Sequence, residues 1–169
     1  MGSKLKELQK LYKGDENNLL YYYSSPGFTY DLFGCKLAID HDLNYRMVFR
    51  YFDPKIKILG KPDFYCEGMI PESIKQKLTE LIAVGFSDLK PIYSPYSNHY
   101  VPDDTGSHEY LINTKDGFLR SSLYSISFSD HIQFKTKNEI LYYELHCKLL
   151  KWIQGLYDFV KQIHYSDLK

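Results

Sequence analysis

The sequence predicts an α+β fold, an antiparallel sheet of about five to six strands with helices packed on one face and a long helix at the C-terminal end. Three observations lead there. Short runs rich in aromatic and aliphatic residues recur between strong turn signals. Other segments instead repeat their apolar residues every three to four positions, the period of an amphipathic helix. The order of the segments, helix, four strands, helix, two strands, helix, lacks the strict alternation that builds a parallel sheet.

Taken in order, Ser3 caps a short helix running to about Tyr12, with Leu5, Leu8, Leu11 and Tyr12 on one face and Gly14 ending it. Strands follow at 19–23, 33–39 and 45–52. The turn Ser24-Ser25-Pro26-Gly27 separates the first two, and the polar stretch Asp40-His41-Asp42-Leu43-Asn44 joins the next pair as a hairpin. Gly60 and Pro62 break the chain before a fourth strand at 64–69. Pro71 opens a helix whose apolar face is Ile74, Leu78, Leu81 and Ile82, and Gly85 stops it. Residues 86–106 carry Pro91, Pro95 and Pro102 and read mostly as loop. Strands at 108–114 and 118–128 meet at Lys115-Asp116-Gly117. From Asn138, taken as the N-cap, an amphipathic helix runs to about Tyr165 through Leu141, Leu145, Leu149, Trp152, Leu156 and Ile163. It is longer than a domain of this size is wide, so it bends near Gly155 or projects, and an exposed half would itself suggest dimerisation.

Length and composition set the class. At 169 residues, with 44% hydrophobic and 25% charged residues, the chain fits a single domain over 1–169 with one core. Twenty-one basic residues balance twenty-one acidic ones and no block of like charge occurs, which argues against nucleic-acid or anionic-membrane partners. Lys4, Lys6, Lys10 and Lys13 form the densest basic cluster and read as a solvated helix face. Cys35, Cys66 and Cys147 are odd in number, widely spaced and flanked by apolar residues, so they read as buried thiols in a reducing, cytoplasmic setting. No stretch approaches the roughly 18 apolar residues of a membrane span. Lys6 stands where an N-myristoylation signal after Gly2 needs Ser or Thr.

The common catalytic and cofactor signatures are absent: no phosphate loop, dinucleotide fingerprint, nucleophile elbow or zinc-binding helix pair occurs. No cofactor is therefore expected, and non-catalytic binding is the preferred reading. The densest polar constellation is His99, Asp103, Asp104, His108 and Glu109, ligand types for zinc or manganese. Their spacing fits no metal motif, and Pro102-Asp103-Asp104-Thr105-Gly106 reads as a solvated turn. Asp40-His41-Asp42 reads as a hairpin turn, since neighbouring strand residues point to opposite faces. On the last helix, His146 is placed on the surface and Cys147 in the core.

Aromatic residues make up 17% of the chain, and seventeen tyrosines outnumber ten phenylalanines. Tyrosine joins a large rigid apolar body to a polar tip and is favoured at interfaces. Tyr21, Tyr22 and Tyr23, and Tyr142 and Tyr143, read as straddling core and solvent. Tyr93, Tyr96 and Tyr100 lie in a long proline-stiffened loop, and long loops in compact domains are more often functional. With Asp103, Asp104 and His108 they form the candidate partner-binding surface, joined by the outer end of the last helix. Two alternatives stand beside it: a small-ligand site in a tyrosine-lined space between sheet and helix, and a metal-dependent hydrolase using His99, Asp103, Asp104 and His108.

In kind, a compact, tyrosine-rich, charge-neutral chain without catalytic motifs resembles the small cytosolic immunity proteins of bacterial toxin systems. That resemblance implies a tight one-to-one complex that blocks a toxin's active site. The pattern Gly34-Cys35, Asp40, Gly68 and Phe86-x-x-Leu89-x-x-x-Tyr93 is also similar to an uncharacterised bacterial domain family with a Gly-x-Cys-Pro strand, although Lys36 stands at the position of its proline.

Overall fold

A computed structural model describes residues 16–25, 33–51, 63–94, 106–124 and 134–166. The fold is α+β: among the described residues it comprises a seven-stranded, mostly antiparallel sheet and two helices, the second of them long. The expected helix at the N-terminus lies outside the described residues. The chain divides into two compact units, residues 1–70 with 89–133, and residues 71–88 with 134–169.

Alternation along the strands assigns the sheet two different faces. In the first unit β1 (Asn18–Ser25), β2 (Phe33–Asp40), β3 (Asn44–Tyr51), β4 (Asp63–Met69), β5 (Ile92–Tyr93), β6 (Ser107–Thr114) and β7 (Gly117–Tyr124) are arranged in the order β4-β3-β2-β1-β6-β7-β5. Every second residue of β1, β2 and β3 belongs to an apolar face, so Leu20, Leu37, Ile39, Met47 and Phe49 are at most 2% exposed. On β6 the same face carries Tyr110 and Ile112, also buried. The opposite face mixes a small cluster of Tyr21, Ala38 and Val48, packed with Tyr65 and Leu111, with charged residues such as Lys36, Arg46, Glu109 and Arg120.

The turns follow the expected chemistry. Asp40 Oδ1 accepts the backbone N–H groups of Asp42 at 3.0 Å and Asn44 at 2.8 Å, which makes Asp40-His41-Asp42 part of the β2–β3 hairpin turn. Gly117, at φ 113°, closes the β6–β7 hairpin where a side chain would be strained. One expected loop residue belongs to the sheet. Tyr93 sits on the short β5, which pairs parallel to β7 through Ile92↔Ser122 and Tyr93↔Leu123, so the strands number seven instead of five or six. A two-residue strand leaves too short a pattern for periodicity to register, and the prolines around it read as breakers.

The second unit holds α1 (Glu72–Val84) and α2 (Lys137–Ser166), which lie against each other. Pro71 precedes α1, and Gly85, at φ 95°, ends it by donating its N–H to the Leu81 carbonyl at 2.9 Å. Ile74, Leu78 and Leu81 are buried, whereas Ile82, expected on the same face, is 40% exposed. Lys77 Nζ reaches Glu144 Oε2 on α2 at 2.8 Å and Glu80 Oε2 at 2.7 Å.

The cap of α2 is Thr136, not Asn138. Thr136 Oγ1 accepts the Glu139 N–H at 3.2 Å, while Glu139 Oε2 accepts the N–H groups of Lys135 at 2.8 Å and Thr136 at 3.1 Å. This reciprocal Thr-x-x-Glu box satisfies orphan donors that Asn138, buried two residues later, does not. Thr136→Ala is expected to lower stability by about 1 kcal/mol in urea titrations, the usual loss for a side-chain cap. Two placements on α2 are also reversed: His146 is fully buried and Cys147 exposed. At 3.6 residues per turn, position 146 shares the side of Tyr142, Leu149 and Ile153, and position 147 turns about 100° away. Of the other thiols Cys35 is buried and Cys66 partly so.

Candidate functional site

Strand register gathers a small aromatic and charged patch on the mixed face of the sheet. Tyr21, Leu111 and Arg120 form one row across β1, β6 and β7, and Tyr23, Glu109 and Ser122 form the next. Tyr21, Tyr23, Glu109, Leu111 and Arg120 line a shallow depression there. Three consecutive tyrosines divide by strand alternation, with Tyr21 and Tyr23 on this face and Tyr22 on the other.

The floor of the depression is held rigidly. Tyr21 Oη accepts a hydrogen bond from Asn18 Nδ2 at 2.7 Å, and Asn18 Oδ1 accepts one from Arg46 Nη2, also at 2.7 Å. Asn18 is fully buried, so both of its amide ends are used inside the fold. Lys36 Nζ stands 5.9 Å from the centre of the Tyr23 ring, within range of a cation–π interaction. Arg120 is exposed at the rim, and Glu109 and Tyr23 are half-buried.

On the opposite face His108 stacks on Tyr22, with ring centres 5.9 Å apart, and its Nδ1 lies 2.6 Å from the Tyr22 hydroxyl. Tyr110 leans on the same tyrosine at 5.1 Å. Burial pushes His108 down to about 4, so at neutral pH the imidazole is uncharged and shares a neutral hydrogen bond with the hydroxyl. Burial also drives the Tyr22 phenol well above its ordinary value.

Of the sequence-predicted site residues the structure describes Tyr93 and His108, which flank Leu123 in one row across β5, β7 and β6. Tyr96, His99, Tyr100, Asp103 and Asp104 lie outside the described residues. Tyr93, expected on a partner-binding loop, is only 2% exposed, and its hydroxyl accepts the Lys90 N–H at 3.0 Å. Its place is in the core because pairing of β5 with β7 turns the ring inward. His108 belongs to the packed Tyr22 cluster, where its Nδ1 is engaged with the Tyr22 hydroxyl. Among the described residues no three His, Cys, Asp or Glu side chains converge as a metal site.

Sequence reasoning missed Arg120 and Leu111, which reach the depression only through the pairing of β1 with β6 and β7. The single legible signal was the spacing of Tyr21 and Tyr23 by two on a strand. Chemically the patch offers flat ring surfaces, a guanidinium with several donors and a carboxylate, groups suited to recognition. No helix among the described residues is long and apolar enough to cross a membrane. No protein-family model matches the chain, and no curated protein matches it.

Proposed function

We propose that the chain is a protein-binding module that holds one partner molecule, of the toxin-neutralising kind its composition resembles, and that the mixed sheet face is its recognition surface. The observation that carries this reading is the rigidly floored depression of Tyr21 and Tyr23 with Arg120 at its rim. Tyrosine and arginine are the residues most enriched where binding energy concentrates, and a pre-ordered floor reduces the entropy lost on docking. Tyr93 and His108 serve it as core supports.

The test is affinity capture from the native host with wild type and a Tyr23→Ala, Arg120→Glu double variant. A stoichiometric partner is expected with wild type, with retention reduced at least about 100-fold in the variant, as for loss of a central Tyr–Arg pair. Equal retention by a folded variant places the recognition surface elsewhere. A partner that is a toxin is expected to lose activity at one equivalent. A second reading, a small-ligand site, draws on the same concave tyrosine-lined depression. It predicts concentration-dependent thermal stabilisation by a metabolite, lost in the same double variant.

A further inference from the structure

Two opposite charges on the mixed face lie near each other without meeting. The β6–β7 register sets Arg120 opposite Leu111 and Ser122 opposite Glu109, so Arg120 and Glu109 are diagonal neighbours, their α-carbons about 7–8 Å apart. Both side chains line the same depression, and both are long enough to span that gap. They form no ion pair with each other, and neither side chain makes a hydrogen bond or ion pair among the described residues. The charges around them are engaged. Arg46 donates to Asn18 Oδ1, Lys36 stands over the Tyr23 ring, and Glu67 accepts from the Tyr65 hydroxyl. Glu109 is also half-buried, flanked in its row by Tyr23 and Ser122. A carboxylate that has lost part of its water there gains from a cation brought to it, and the exposed Arg120 guanidinium offers a fork that fits a carboxylate.

We propose, resting on the reading of the mixed face as the recognition surface, that the partner docks through an extended segment carrying an acidic and a basic residue two positions apart. The acid sits on Arg120 and the base on Glu109. In an extended chain, residues two apart share one side and stand about 6.5–7 Å from each other, close to the diagonal between the two charges. Side chains that share a helix face are nearer, about 5–6 Å between β-carbons, and match it less well. The depression is shallow, so it receives side chains laid across the sheet and does not enclose a small molecule as a pocket would. The pairing also excludes. A segment with two acids sets one against Glu109, and a segment with two bases sets one against Arg120, so like charges reject both.

The test is display selection of random linear segments against the full chain, keeping those that bind wild type and not the Tyr23→Ala, Arg120→Glu double variant. Sequencing then reads which charge patterns the kept segments share. Acid and base two apart, in either order, are expected at least about 10-fold above the unselected library, the combined effect of two exposed ion pairs. Repeating the selection on single variants reverses the preference: Arg120→Glu is expected to select two bases at that spacing, and Glu109→Arg two acids. Arg120 is exposed, so its variant carries the reversal even where Glu109→Arg unfolds, which a thermal melt reports. Kept segments without the pattern, with the charges at the helical spacings of three or four, or with a preference unmoved by Arg120→Glu, overturn this inference while the recognition surface stands. If no segment distinguishes wild type from the double variant, both fall.

Discussion

Tyr93→Ala is expected to unfold much of the population instead of removing a binding contact. The ring is 2% exposed on β5, its hydroxyl accepts the Lys90 N–H at 3.0 Å, and Lys90 Nζ stands 5.7 Å from the ring centre. The same short segment is tied to β7 by the Ser122 N–H to the Pro91 carbonyl at 2.9 Å and by Ser121 Oγ to the Lys90 carbonyl at 2.8 Å. Truncating a buried aromatic ring costs about 3–5 kcal/mol, from lost transfer energy and the cavity left behind. Here it also frees the edge of the sheet. Urea denaturation should show the unfolding free energy falling by that amount, with Tyr93→Phe losing only about 1 kcal/mol for the hydroxyl's hydrogen bond. If Tyr93→Ala retained wild-type stability, the ring would be a surface group after all. Any binding experiment that truncates Tyr93 therefore measures folding first, and surface variants are the ones to compare.

The second large effect is acid sensitivity through His108. Burial lowers its folded value to about 4 from an ordinary 6.5. Because the folded pKa is depressed, the unfolded chain binds a proton first as pH falls. The contribution of the neutral imidazole is complete above about 6.5 and is lost progressively down to about 4. The difference corresponds to about 3 kcal/mol, at 1.36 kcal/mol per pH unit. His108→Gln keeps a neutral hydrogen-bonding group beside the Tyr22 hydroxyl without a titrating ring. Urea unfolding at pH 7 and pH 4.5 should therefore show a smaller loss for the variant than for wild type. Equal losses in both would mean that other groups carry the acid response.

Several features of this protein were written in local sequence. Asp40-His41-Asp42 read as a hairpin turn because the Asp40 carboxylate can accept nearby backbone N–H groups, and it does. Gly85 and Gly117 marked a helix end and a hairpin because those backbones need positive φ. The long helix was visible in its apolar period, and so was the suspicion that part of it stays exposed. Its cap was legible too, in Thr136-x-x-Glu139, had the reciprocal box been weighed against a nearby asparagine. For the candidate site the sequence supplied residue types without addresses.

By itself, then, the sequence determined the α+β class and most of the described elements and turns, though not β5, since these depend on interactions within a few residues. Only the tertiary structure decided which side chains meet. Arg120 joins Tyr21 through Leu111 because β1 pairs with β6 and β6 with β7, bringing together residues about a hundred positions apart. Tyr93 lies in the core and His108 in a partly buried ring cluster because of pairings and stacking no local pattern encodes. Strand register is a global property, fixed by burying one whole face at once, and one slipped residue would send every side chain to the other side.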